Sequence, residues 1–158
     1  MGEERPWYLE IPMPALLRHA RMIYGAAMRR ALAEAGYDDI PRNGLYVIGG
    51  LALDGKNVPL GQLIKELRIS KQAGGQLVDA LVLRGYLERG IDPKDRRKLT
   101  VALTERGKAA AAAQAIAREE IDAALVARMG EDTVARTRAA LAALIDIGRA
   151  EAAPDAED

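Results

Sequence analysis

The feature that most constrains this chain is a charged hexapeptide, Asp92-Pro-Lys-Asp-Arg-Arg, which separates two short strand-like segments at 86–91 and 98–103. Within 98–103, Leu, Val and Leu alternate with Thr and Ala, which is the period of a half-buried strand. Two strands joined by so short a loop predict a β-hairpin with the charged residues at its tip. Such a tip is expected to lie in solvent or against a charged partner, and paired arginines on a rigid hairpin suit DNA phosphates or the minor groove.

Composition excludes several classes of protein. The 158 residues contain no cysteine and one histidine, which excludes a disulfide framework, a thiol-based sensor, a zinc ribbon and a multi-histidine metal centre within one chain. We expect no cofactor. The chain starts without a basic segment and apolar core of the secretory kind, and no apolar run approaches the roughly 20 residues needed to span a bilayer. We therefore expect a cytoplasmic protein with no membrane partner.

The charges are unevenly distributed, although the formal net charge is zero. Residues 42–108 contain 13 Lys or Arg against 7 Asp or Glu, whereas the rest of the chain contains 10 against 16. A basic central module between acidic ends is typical of a DNA-binding unit carried on a scaffold that does not touch DNA. Chance clustering on solvated faces is the alternative explanation.

Apolar residues recur at helical spacing through most of the chain. They predict helices at 14–35, 42–53, 59–67, 71–84, 105–129 and 133–149. Ser70 is a suitable N-cap for the fourth of these helices and Thr104 for the fifth. A short helix, a three-residue turn, a second helix and a hairpin follow one another in the order of a winged helix-turn-helix. The predicted fold class is therefore mainly α with a small β-hairpin.

The terminal helices are rich in alanine and carry broad apolar stripes, so they need a partner surface. We predict a homodimer whose N- and C-terminal helices interlock, although a monomeric bundle around the central module also fits the pattern. The predicted domains are an N-terminal dimerisation helix at 1–41, a winged helix-turn-helix lobe at 42–108, C-terminal dimerisation helices at 109–150 and a disordered acidic tail at 151–158.

Candidate DNA-binding residues follow from this order, because the second helix of a helix-turn-helix presents its N-terminal residues to base edges in the major groove. In the second helix these residues are Ser70, Lys71, Gln72, Ala73 and Gln76. At the hairpin tip they are Asp95, Arg96, Arg97 and Lys98. Asp95 is expected to orient a neighbouring guanidinium through a salt bridge. A solvated loop of mutually neutralising charges is the alternative for the tip.

Gly74 and Gly75 interrupt the predicted recognition helix, where each glycine costs roughly 1 kcal/mol relative to alanine. They either let the helix sit close to the DNA backbone or reflect close packing against the preceding helix. The sequence favours neither explanation.

The segment from Ile69 to Gly107 resembles the MarR family of transcriptional regulators. The resemblance rests on Ile69-Ser-Lys-Gln-Ala-Gly-Gly-Gln-Leu in the second helix, and on Asp92-Pro-Lys-Asp-Arg-Arg followed by a strand and Leu103-Thr-Glu-Arg-Gly. It implies a homodimer bound to a pseudo-palindromic DNA operator with half-sites roughly 10 bp apart, and we expect a repressor. By motif position, Arg97 is the wing arginine that enters the minor groove, supported by Asp95. The chain departs from the family pattern at Ala73-Gly-Gly.

Members of the MarR family often respond to small aromatic or phenolic anions bound between the dimerisation helices and the DNA-binding lobe. By position, this resemblance implies an effector pocket lined by His19, Tyr24, Met28 and Tyr46. Core packing is the competing explanation for Tyr24 and Met28, which lie one turn apart on an apolar stripe.

Two other classes of function compete with a DNA-binding regulator. A winged-helix module that docks an acidic protein, without a ligand response, is the alternative; it would expose apolar residues where the second helix begins, and the chain has polar ones. An enzyme is disfavoured, since no nucleophile and base accompany the single histidine and no Gly-rich phosphate loop follows a strand.

Overall fold

The computed structural model describes residues 5–54, 58–59, 61, 64–65 and 67–152. They divide between a compact unit that ends at Arg118 and a second unit that begins at Glu119. A 3₁₀ turn at Trp7–Leu9 precedes the main elements, which are α1 (Met13–Glu34), α2 (Gly44–Asp54), β1 (Val58–Pro59), α3 (Lys71–Leu83), β2 (Leu87–Ile91), β3 (Leu99–Leu103), α4 (Glu105–Met129) and α5 (Glu131–Ala152).

The predicted fold class is confirmed: helices dominate, and β2 and β3 form an antiparallel hairpin directly after α3. The prediction of a helix at 59–67 is wrong at Pro59, which lies in β1 and pairs with Thr100. Residues 61 and 64–65 are helical, and the remaining residues between 60 and 66 lie outside the described part of the chain. The final helix extends to Ala152 and so takes in the start of the predicted tail, whose residues 153–158 also lie outside it.

The sheet has the order β1-β3-β2, so β3 is its central strand. The predicted alternation in β3 is wrong at its first two residues, because Leu99 is 52% exposed while Thr100 is 2% exposed. Leu99 pairs with Ile91 at the loop end of the hairpin, beyond the core, whereas Thr100 is flanked by strands on both sides. The unpredicted strand β1 therefore accounts for the burial of a polar residue.

The core of the first unit lies between α2, α3 and the inner face of the sheet. Successive turns of α2 and α3 bury aliphatic side chains that pack on the first residues of the hairpin and on the end of α1. These side chains are Leu45, Val47, Ile48, Leu51, Val78, Leu81, Leu87, Val101, Met28 and Leu32. Because α3 and the hairpin share one core, the wing has a fixed position beside the second helix of the helix-turn-helix.

Tyr86 joins three segments at the base of the wing. Its buried ring precedes β2, and its hydroxyl donates a hydrogen bond to the carboxylate of Asp39 in the loop before α2. The same hydroxyl oxygen accepts from the guanidinium of Arg106, in the first turn of α4, at 2.9 Å. Arg106 also lies 3.3 Å from the Asp39 carboxylate and 4.6 Å above the Tyr86 ring. The phenol thus fixes the start of α4 against the loop that leads into α2.

The Leu103-Thr-Glu-Arg-Gly segment closes the other side of this junction. The hydroxyl of Thr104 donates to the carbonyl of Gly85 and accepts from the backbone N–H of Gly107 at 3.0 Å. A Cβ atom on Gly107 would lie 2.1 Å from the Tyr86 carbonyl oxygen, which is far inside van der Waals contact. Only glycine therefore lets α4 approach the base of the wing this closely.

We predict that the Tyr86 junction gives the fold an alkaline limit. Burial and the hydrogen bond to Asp39 raise the pKa of Tyr86 to about 12 from an ordinary 10.0. Between these pH values the native chain keeps a proton that the unfolded chain releases, so the free energy of unfolding falls as pH rises. Chemical denaturation of wild type and Tyr86→Phe from pH 8 to 12 tests this. The difference between their unfolding free energies should shrink across that window, and parallel curves would contradict the prediction.

At acid pH the same junction makes the fold less stable as the pH falls, the reverse of its effect at alkaline pH. The hydrogen bond from Tyr86, and then the charge of Arg106, hold the pKa of Asp39 below its ordinary 3.8. A carboxyl with a depressed pKa stabilises the fold above its unfolded pKa and loses that contribution as pH falls. Asp39→Asn should therefore flatten the loss of stability below about pH 4 in chemical denaturation. It should also weaken the fall above pH 10, because the Asp39 carboxylate helps to raise the pKa of Tyr86. An unchanged acid limb would contradict the prediction.

Candidate nucleic-acid interface

The N-terminus of α3 is capped as predicted. Ser70 Oγ accepts a hydrogen bond from the backbone N–H of Ala73 at 3.1 Å, which satisfies one of the free donors at the start of the helix. The side chains of Lys71, Gln72, Ala73 and Gln76 are exposed. The structure therefore brings the five predicted base-contacting residues together on one open, polar helix end.

A left-handed residue makes the turn before α3. Arg68 has a φ of +51°, and its backbone N–H donates to the Lys65 carbonyl at 3.2 Å. Glycine and asparagine are the residues that usually occupy this region of backbone space. This conformation could not be predicted from the residue type, because arginine does not favour it.

The two glycines of α3 have different surroundings. A Cβ atom on Gly74 would lie 2.8 Å from Cγ2 of Ile64, so this position is glycine because α3 packs closely on the residue before the turn. A Cβ atom on Gly75 would meet no atom within 4 Å. Close packing thus explains Gly74 and leaves Gly75 on an open part of the helix surface.

The wing tip is held by hydrogen bonds from its own carboxylates to its backbone. Asp92 Oδ1 accepts from the N–H of Lys94 at 2.8 Å, and Asp95 Oδ1 accepts from the N–H of Arg97 at 3.1 Å. Backbone hydrogen bonds from Asp92 to Lys98 and from Lys98 to Asp95 close the loop at 3.0 and 2.9 Å. The side chains of Arg96, Arg97 and Lys98 are exposed around this rigid turn.

The predicted salt bridge between Asp95 and a wing guanidinium is wrong. Within the part of the chain that the structure describes, the salt bridges involve Arg89, Arg106, Lys108 and Arg136, and none of them includes Asp95. The physical reason is local: a carboxylate two residues before a free N–H closes a turn within the backbone, whereas an arginine side chain must be ordered to reach it.

A salt bridge connects the wing to α3. Arg89 in β2 pairs with Asp79, which is the only acidic residue of α3. Both side chains are partly exposed, so the pair acts mainly by orienting the hairpin and by neutralising a carboxylate on a helix that otherwise carries basic and amide groups.

A shallow groove of about 450 Å³ runs beside α3. It is bordered on one side by the residues that lead into α2 and on the other by one stripe of α3. The lining residues are Pro41, Arg42, Asn43, Ile69, Ala73, Gln76, Leu77, Ala80 and Arg84. The groove therefore contains two of the predicted base-contacting residues, Ala73 and Gln76.

A larger cavity of about 660 Å³ lies between α2, the hairpin and the first half of α4. Alanine and leucine side chains form much of its wall, Arg118 and Lys108 add positive charge and Glu88 adds negative charge. Lys108 is paired with Glu105 at 2.6 Å. Gln114 also lines the cavity and is 2% exposed; its Nε2 donates to the Leu45 carbonyl at 3.0 Å, but no described group donates to its Oε1. A buried carbonyl oxygen without a donor is costly, and a bound ligand or water would satisfy it.

The four residues predicted to line an effector pocket lie outside this cavity. Met28 belongs to the core, and Tyr24 and Tyr46 pack against it. The ring of His19 lies 5.2 Å from that of Trp7, edge to face. None of these four residues borders the 660 Å³ cavity, so they remain a separate prediction. Gln114 gave no signal in the sequence, because a glutamine inside an alanine-rich helix is unremarkable.

Within the described ranges, no group of three His, Cys, Asp or Glu side chains is placed to hold a metal ion. No helix of those same ranges has the length and apolarity that a membrane span requires.

We predict opposite effects for alanine at the two glycines of α3. Gly74→Ala should lower the free energy of unfolding by about 1–3 kcal/mol, because the new methyl group overlaps Ile64. Gly75→Ala should raise it by up to about 1 kcal/mol, because alanine favours the helix and the added methyl group meets only open space. Urea denaturation of both variants measures the two changes, and equal effects would show that Ile64 does not set the requirement for glycine.

A model of the MarR family matches residues 38–98. Among curated proteins, none matches the sequence.

Solved structures share the fold across most of the chain. MepR of Staphylococcus aureus in its DNA-binding conformation has 18% identity and a TM-score of 0.71, covering 86% of this chain and 98% of MepR. FabT of Streptococcus pneumoniae in complex with DNA has 18% identity and a TM-score of 0.68, covering 87% and 98%. RV1404 from Mycobacterium tuberculosis has 25% identity and a TM-score of 0.63, covering 99% and 100%.

The family match spans α2, α3 and most of the wing, the parts that form the groove and the basic tip. The shared fold extends to the terminal helices. Residues 38–98 thus match the MarR family, and the chain as a whole shares the winged-helix fold of these solved structures.

Proposed function

We propose that this protein is a sequence-specific DNA-binding repressor that acts as a homodimer on a pseudo-palindromic operator. The observation that carries the proposal is the placement of two chemically different probes on one rigid lobe. The capped, polar start of α3 suits base edges in the major groove, and the exposed arginines of the wing suit the minor groove. The salt bridge between Arg89 and Asp79 fixes their relative orientation.

Structural neighbours support DNA as the partner. FabT and MepR share the fold and have been solved in complex with DNA. In this chain the corresponding surface is polar and basic. An interaction module for an acidic protein, the competing function, would expose apolar anchors at the start of α3, where Lys71, Gln72 and Gln76 stand.

Apolar side chains left exposed on the long helices support the homodimer. On α1 they include Leu16, Met22 and Ile23, and on α5 Leu141, Leu144 and Ile145. Ile145 is 60% exposed in the single chain. Burying such stripes against a second copy removes apolar area from water. In this proposal residues 1–41 and 109–150 supply the dimer contacts and 42–108 the DNA-binding lobe, with half-sites about 10 bp apart.

Arg97→Ala is the direct test of the wing. We expect operator affinity to fall by about ten-fold, because a well-placed charged contact to DNA contributes roughly 1–3 kcal/mol. The assay is fluorescence anisotropy with DNA flanking the protein's own gene, against unrelated duplex at moderate salt. Light scattering should give twice the chain mass for both proteins. Unchanged affinity would show that Arg97 is not part of the interface. If wild type binds the flanking DNA no better than unrelated duplex, the repressor proposal is wrong.

We further propose that a small aromatic or phenolic anion releases the DNA by binding the 660 Å³ cavity. Arg118 suits a carboxylate, the alanine-lined wall suits an aromatic ring, and Gln114 Oε1 suits a hydroxyl donor. Because the cavity walls include both the hairpin and α2, a ligand that favours one spacing of these elements shifts the population of DNA-competent dimers.

Gln114→Met separates the cavity from the sequence-predicted pocket. Methionine preserves the side-chain length and removes the unpaired oxygen, so the variant should fold and bind DNA while its affinity for hydroxybenzoates falls about ten-fold. Titration calorimetry with hydroxybenzoate and with benzoate measures this, and the hydroxyl should matter only in wild type. Tyr46→Phe and His19→Ala are the matched controls. Loss of ligand affinity in the controls alone would locate the effector site on α1 and α2.

A further inference from the structure

The groove beside α3 contains two arginines that the sequence patterns did not single out. Arg42 precedes α2, and Arg84 is the C-cap of α3, so they come from opposite walls of the groove. Both side chains are exposed, and neither takes part in a salt bridge within the described ranges. No acidic residue lines the groove, and the only carboxylate of α3 is paired with Arg89.

The spacing along α3 relates these arginines to the base-contacting end of the helix. Ala73, Gln76, Ala80 and Arg84 fall on one stripe, and eleven residues separate the first from the last. At 1.5 Å of rise per residue this is about 16 Å, whereas the major groove of B-DNA is about 12 Å wide. When Ala73 and Gln76 reach base edges, Arg84 therefore lies beyond the edge of the major groove, where the phosphates are.

We propose that one strand of the DNA backbone lies along this groove and that Arg42 and Arg84 clamp its phosphates from either side. Asn43 adds an amide donor, and Leu77 and Ala80 provide an apolar floor for the deoxyribose. The inference rests on the proposed DNA-binding function and deepens it. Arg42 and Arg84 set the depth and register of α3 in the major groove without reading sequence, whereas Gln76 reads it.

The chemistry of phosphate contacts gives a specific signature. Each phosphate neutralised by a protein cation releases counterions, so loss of one contact lowers the slope of log affinity against log salt by about 0.9. Loss of a base contact instead reduces the preference for the operator over unrelated DNA. The two kinds of residue are therefore separable in one set of titrations.

The experiment measures binding of wild type, Arg42→Ala, Arg84→Ala and the double variant to DNA flanking the protein's own gene and to unrelated duplex, from 50 to 300 mM salt. Each single variant should bind both DNAs about five- to ten-fold more weakly, with the salt slope reduced by about 1 and the operator preference unchanged. Glu151→Ala removes an exposed charge outside both the proposed DNA-binding lobe and the proposed dimer contacts, so it is the control and should bind as wild type does. Gln76→Ala should lose operator preference with its slope kept.

Arg42→Lys and Arg84→Lys test whether the alanine variants weaken DNA binding only because they destabilise the fold. They keep the charge and should restore the slope even if the alanine variants prove less stable in thermal unfolding. Unchanged affinity and slope in both alanine variants, while Arg97→Ala still weakens binding, would overturn the clamp and leave the proposed function standing. A change of operator preference without a change of slope would also overturn it. Absence of DNA binding by wild type would overturn both.

Discussion

The hydrogen bonds of the Tyr86 hydroxyl are the interactions on which the geometry of the candidate nucleic-acid interface depends. Three segments that are distant in sequence meet at this oxygen: the loop before α2 through Asp39, the wing through the tyrosine itself and the start of α4 through Arg106. The ring is fully buried, so the hydrogen bonds lie at the edge of the core rather than in open solvent. Because α3 ends at Leu83, three residues before Tyr86, this junction also anchors the C-terminal end of α3.

The sequence predicted the elements whose signals are local. The hairpin, the cap at Ser70 and the long helix that ends at Gly130 all follow from residues within a few positions of each other. What it missed depends on contacts between distant residues. Strand β1 is two residues long and exists only through its pairing with β3, and the cavity forms only where α2, the hairpin and α4 come together.

The same distinction between local signals and contacts of distant residues holds for the candidate site. Exposure of the basic and amide side chains at α3 and the wing was predictable, because charged residues between turn signals remain in solvent. The hydrogen-bond partner of Asp95 was not predictable, since a carboxylate close in sequence to an arginine can accept a hydrogen bond either from the guanidinium or from the backbone N–H of that residue. Arg42 and Arg84 were overlooked because the order of elements does not reveal that the loop before α2 faces the end of α3.

The carboxylates of the wing have a thermodynamic consequence. Since Asp92 and Asp95 accept hydrogen bonds from the backbone of the tip, its turn is set when the protein folds, and these carboxylates are held against the backbone rather than paired with the guanidiniums. The backbone therefore loses little conformational entropy when a partner arrives. What must still be ordered is the pair of arginine side chains, so in the proposed DNA complex the entropy cost at the wing is confined to a few rotatable bonds.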